Sequence, residues 1–192
     1  TVNGTLRIES GAKLIIADGE TLSVPSGGAL EVIGAAGNPA SIDSDGSGNS
    51  YTLTVAGSIN ADYFRIDRVD ATGVNITGSI QSMDNGDFHN IANNGFAMTL
   101  GSSVTIPSTM DALGFYDDDG HGTTGNVDAT NGNSVGATAI DNWLGDIGGE
   151  DNDTDPNNSI DWGSAGGTKL TLSDSTAVSN PPETIDQSSA DT

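Results

Sequence analysis

Asp151, Asp153, Asp155 and Asn157 place side-chain oxygens at alternate positions of one polar run, Asp151-Asn-Asp-Thr-Asp-Pro-Asn157-Asn-Ser159. Hard oxygen ligands at that spacing suit Ca²⁺, which takes about six to eight of them, and the run reads like the first half of an EF-hand-like loop. It departs from that pattern in two places. Pro156 stands where the turning glycine belongs, and Trp162 stands where a bidentate glutamate would close the site, with Asp161 one residue short. Asp43-Ser-Asp45-Gly-Ser-Gly-Asn49 is a shorter version, and Asp117-Asp118-Asp119-Gly120 is a third cluster. The candidate ligands are therefore Asp151, Asp153, Asp155, Asn157 and Asp161, then Asp43, Asp45 and Asn49, then Asp117 and Asp119, with structural Ca²⁺ as the expected cofactor. The competing reading of each loop is a solvated turn, because Asp, Asn and Gly are also the residues that turns require.

Other chemistry is poorly supplied. So many carboxylates could form a glycosidase pair, but with acids this common their spacing discriminates nothing. Lyase chemistry beside calcium would need a base to take a proton from a sugar, and only Arg65 and Arg68, in Phe64-Arg-Ile-Asp-Arg68-Val-Asp70, are candidates. Strand alternation would send those two arginines to opposite faces, so ladder salt bridges to Asp62, Asp67 and Asp70 are the expected use. His89 and His121 are the only histidines and do not pair at a metal-ligand spacing. No nucleophile elbow, phosphate-binding loop or dinucleotide fingerprint occurs. Glycosylation sequons stand at Asn3, Asn75, Asn152 and Asn157, and only Glu150-x-Asn152-x-Thr154 adds an upstream acid.

Charge limits the partners. The 192 residues carry 27 acids against 5 bases, a formal charge of −22. Between Arg68 and Lys169 there is no base at all. Self-repulsion of this size calls for salt or bound cations, and it excludes nucleic acid, whose phosphates require a basic surface. There is no cysteine, hence no disulfide framework or thiolate site. No apolar run approaches the roughly 18 residues of a membrane helix, so membrane insertion is not expected.

The elements that must carry these loops announce themselves by a beat of eight. Leu6-x-Ile8, Leu14-x-Ile16, Leu22-x-Val24 and Leu30-x-Val32 repeat one apolar pair, with Gly4, Gly11, Gly19 and Gly27-Gly28 between. Alternate side chains of a strand share a face, so each pair points inward together. Three such sides make a coil of about 24 residues, the scale of a triangular parallel β-helix. Looser pulses continue to about Ile106: Leu53-x-Val55, Phe64-x-Ile66, Val74-x-Ile76, Ile80, Phe88 and Phe96-x-Met98-x-Leu100. Gly-Ser-Ile recurs at 57 and 78, and Phe64 and Phe88 are spaced to stack one coil apart. No helical period persists. Glycine, at 27 residues, and abundant Asp and Asn supply the corners.

This pattern divides the chain into a solenoid, 1–163, and a tail, 164–192. Within the solenoid, 3–34 is the strict repeat, 35–106 holds looser coils, and 107–163 holds coils with long loops and a cap containing Trp143 and Trp162. In the tail, Lys169 to Leu172 reads as one strand and the remainder as flexible polar chain.

The Gly-x-Leu-x-Ile/Val pulses resemble those of right-handed parallel β-helix proteins of the pectin-lyase-like type, including bacterial surface adhesins and secreted passenger domains. The likeness covers about 3–106 well and 107–163 loosely. It implies an all-β solenoid, and not one activity, because the fold hosts lyases, hydrolases, adhesins and stalks. Beginning at Thr1 without an initiator Met, the chain reads as a mature form after signal removal or as a piece of something larger. The first pulse begins at Gly4, which leaves no room for a cap: either a larger chain was trimmed or the open end stacks on another copy. Lys169 to Leu172 could also add as a strand to a neighbour. The expected function is a non-enzymatic, extracellular, self-assembling structural subunit of a filament, sheath or layer, with copies of itself as partners. An adhesin or stalk domain binding a surface glycan is the alternative, and a polysaccharide lyase or hydrolase the third.

Overall fold

The structure, a computed structural model, describes residues 1–92, 96–101, 104–105, 107, 109–111, 113–116, 125–128, 138–143, 160–161, 169–174 and 183–186. The described chain is all-β. Its first coil is β1 (Thr5–Glu9), β2 (Lys13–Ile16) and β3 (Thr21–Val24). The second is β4 (Ala29–Ile33), β5 (Ala40–Ser44) and β6 (Tyr51–Val55), and the third is β7 (Ser58–Asp62), β8 (Phe64–Asp67) and β9 (Val69–Ile76). β10 (Ser79–Asp84), β11 (Gly86–His89) and β12 (Phe96–Leu100) make the fourth. β13 (Thr109–Asp111), β14 (Leu113–Tyr116), β15 (Gly125–Asp128), β16 (Thr138–Trp143) and β17 (Ile160–Asp161) follow, then β18 (Lys169–Asp174) and β19 (Glu183–Asp186).

Each side of the coil stacks on the same side of the next, so the strands form parallel sheets. The first sheet runs β1-β4-β7-β10, the second β2-β5-β8-β11-β14, and the third β3-β6-β9-β12-β15-β17. Thr5 pairs with Ala29, a period of 24 residues, so the beat of eight is one side of this coil. Inward residues line up in columns. In the third sheet Leu22, Leu53, Val74 and Met98 stand one above another, and the register continues through Val127 and Ile160. The side chains of Leu53, Val74 and Met98 are fully buried, and burial of such aliphatic groups contributes about 1.5–3 kcal/mol each. Leu6, Leu14, Ile16 and Leu22 of the first coil are only partly buried against this core.

The corners explain where glycine is required. A Cβ on Gly78 would strike the carbonyl oxygen of Gly57, and one on Gly57 would strike that of Gly28. Here backbone stacks on backbone, and Ser58 N donates to Gly28 O at 3.0 Å while Ser79 N donates to Gly57 O at 2.9 Å. The two Gly-Ser-Ile tripeptides are therefore in register, with Ser58 beside Ser79 and Ile59 beside Ile80. Phe64 and Phe88 meet edge to face, with ring centroids 5.4 Å apart and planes at 77°.

Beyond the fourth coil, β13 to β17 lie within 107–163 and pair in parallel. β16 joins β13, and β17 extends the third sheet. Trp162, expected in the cap, lies outside the described residues. In the tail, the run from Lys169 forms β18, parallel to β16, and a second strand, β19, lies antiparallel to it with Ile185 beside Leu170. β19 corrects the expectation of flexible chain at 183–186, where Ile185 is the lone apolar residue.

Candidate functional site: an ion-paired face on the second sheet

Ionic side chains gather on the outer face of the second sheet. Ile42 and Ile66 point into the core, so their neighbours Ser41, Asp43, Arg65 and Asp67 take the outward phase of the pleat. One outward column is Lys13, Ser41, Arg65 and Asp87. Beside it, Ile15 pairs with Asp43, and Asp67 with His89. Three of the five bases in the chain thus serve this one face, because the corner residue Arg68 joins it as well.

Arg68 corrects the expectation from alternation. It lies between β8 and β9 in the left-handed region, φ 56°, so the strand rule stops at Asp67. From this corner its guanidinium reaches Asp43, one coil back, at 2.7 Å. Lys13 Nζ reaches the same carboxylate from the first coil at 2.5 Å, and Ser44 N donates to it at 2.7 Å. Asp43 is 1% exposed, so one buried carboxylate is held by two cations from the coils on either side. Arg65 turns instead to Asp67, with contacts of 2.5 and 3.0 Å, as the ladder reading expected. Asp62 and Asp70 pair with neutral groups rather than arginine. Asn85 donates to Asp62 at 3.0 Å, and Thr52 donates to Asp70 at 2.5 Å. The signal that would have placed Arg68 is its alignment with Asn90, another non-glycine left-handed corner, φ 52°, one coil later.

Tyr51 lies at the same corner. Burial pushes its phenol well above the ordinary value near 10, and the carboxylates of Asp43, Asp67 and Asp70 push it further, against a smaller opposing effect of Arg68. It is a neutral hydroxyl. His89 lies over Asp67, with Nε2 3.9 Å from an Asp87 oxygen.

The candidate calcium ligands fall differently. In the 43–49 loop, Asp43 is taken by Lys13 and Arg68 while Asp45 accepts a 2.8 Å hydrogen bond from Asn49. The loop thus closes on itself and leaves Asp43 facing the ion-paired surface. Asp161 lies in β17. Asp117, Asp119, Asp151, Asp153, Asp155 and Asn157 lie outside the described residues, as does His121. Among the described residues no group of three or more His, Asp or Glu side chains is arranged to hold a metal ion, and no helix is long and apolar enough to cross a membrane. Comparison with protein-family models, with curated proteins and with solved structures found no match.

Proposed function

We propose that this chain is a non-enzymatic structural solenoid of an extracellular filament, sheath or layer, built on the right-handed, pectin-lyase-like plan. The observation that carries the reading is the use made of its bases. Arg7 pairs with Glu31 at 2.9 Å, Lys13 with Asp43, and Arg68 with Asp43, and each of these contacts joins one coil to the next. Arg65, the remaining base of the described coils, is held by Asp67. Of the two arginines that a lyase could aim at a sugar, Arg68 is spent on joining two coils and Arg65 is engaged by Asp67 of its own strand, which supports a mechanical role over a catalytic one. Copies of the chain are the proposed partners. A further coil laid along β1, β2 and β3 would continue three sheets and cover Leu6, Leu14, Ile16 and Leu22, and a second copy supplies it in this reading. Calcium and salt would neutralise the acidic loops of the distal half.

Electron microscopy of the purified chain, with calcium and with chelator, tests the proposal. Regular fibres or sheets one solenoid wide support it. Discrete particles under every condition, or turnover of a polysaccharide by the purified chain, would refute it.

A further inference from the structure

Ser44, Tyr51 and Arg68 all lie where the second sheet turns into the third. Ser44 closes β5, Tyr51 opens β6, and Arg68 forms the same corner one coil on. They are linked through their neighbours: Ser44 N and the Arg68 guanidinium both bond Asp43, and Tyr51 N donates to Arg68 O at 3.3 Å. Each also carries one buried polar atom without a partner among the described residues, namely Ser44 Oγ, Tyr51 Oη and Arg68 Nε. Ser44 and Tyr51 are 2% and 1% exposed, too deep for bulk solvent to satisfy them. Ser44 stands over Ile16 in an inward column, so the side chain beneath offers it nothing. Buried polar atoms in folded proteins are almost always bonded, to protein or to ordered water.

We infer that this corner is a built site for a single internal water molecule, which bridges the hydroxyls of Ser44 and Tyr51 and the Nε–H of Arg68. The charges select the guest. Arg68 Nε–H can only donate, so the guest must accept there, and a metal cation cannot. Burial first, and then Asp43, Asp67 and Asp70 together against the opposing charge of Arg68, disfavour a negative charge at the phenol, and a halide meets the same penalty. A small neutral molecule that both donates and accepts is left, and water meets that description with about three partners, the usual number for an internal site. The bridge ties the second coil to the third at the point where the 45–50 loop leaves the stack.

Water-oxygen magnetic relaxation dispersion on the intact chain, with an atomic-resolution crystal structure grown in bromide, tests this. The expected result is one long-lived water in the folded protein, located at Tyr51 Oη, and lost in Tyr51→Phe with Ser44→Ala while the fold persists. A folded wild type without a long-lived water would overturn the inference even if the double variant failed to fold. So would anomalous signal from bromide at this corner.

Discussion

Arg68 lies one coil beyond Asp43 and holds its buried carboxylate at 2.7 Å, while Lys13 holds it from the coil before. One acid thereby fastens three successive layers. Its removal leaves Arg68, whose side chain is 21% exposed, without its counter-charge. Breaking a buried pair by deleting one partner costs about 3–5 kcal/mol, so Asp43→Ala is expected to lower the unfolding free energy from urea titration by the lower end of that range, about 3 kcal/mol. Lys13 is half exposed, and Lys13→Met should cost about 1 kcal/mol or less. Equal losses for the two variants would contradict the arrangement.

A second expectation concerns Gly86. The ring of Phe64 lies against the place a Cβ would occupy there, and that ring in turn meets Phe88 edge to face. Gly86→Ala must displace a fully buried aromatic pair, and overpacking of this kind costs about 1–3 kcal/mol. Gly4→Ala is the control, since nothing lies within 4 Å of the added carbon, and its melting temperature should stay that of the wild type.

The phenol of Tyr51 gives the alkaline limit of stability. Its proton is bound more tightly in the folded chain than in the unfolded one, because of burial first and the carboxylates of Asp43, Asp67 and Asp70 second. The stability it contributes is complete below the unfolded value near 10 and declines as pH rises from there towards the folded value. Denaturant titrations from pH 8 to 11.5 should show stability falling above about pH 10, and Tyr51→Phe should flatten that fall. An unchanged alkaline slope in the variant would assign the titration elsewhere.

Burial along the stack predicts a gradient. Leu53 is fully buried in the second coil, while Leu14 in the first is only partly so. Leu53→Ala should cost about 3 kcal/mol, in the range for a core deletion. Leu14→Ala should cost about 1 kcal/mol in the isolated chain, because less apolar surface returns to water. Assembled fibres would raise the second figure towards the first, so the pair also reads out whether the first coil is covered.

The solenoid was legible because its core is periodic. Leu6, Ile8, Leu30 and Val32 stand in one sheet as the eight-residue beat requires, and Phe64 meets Phe88 as their spacing suggested. What escaped was the corner chemistry. Alternation is a property of strands, and Arg68 leaves the strand through a left-handed backbone that its own residue type does not advertise. Its partner Asp43 offers the same oxygens to a metal as to an arginine, so an Asp-Gly loop in the sequence does not advertise the ion pair that the structure shows. β19 escaped because a single apolar residue, Ile185, marks it.

The left-handed corners at Tyr63 and Arg68 recur at Asn85 and Asn90, and Tyr63, Arg68 and Asn85 each join two strands as a single residue. They let the third coil close economically: Ser58 pairs with Ser79, a period of 21 residues, where Ala29 to Ser58 took 29. The seam at each end of that stretch is the same tripeptide, Gly57-Ser-Ile and Gly78-Ser-Ile. A copy of residues 58–78 spliced in at Ser79 would therefore meet its own sequence above and below. Such a graft would lengthen the rod by one strand spacing, about 4.8 Å, which makes this coil a unit of measure for building rods of chosen length.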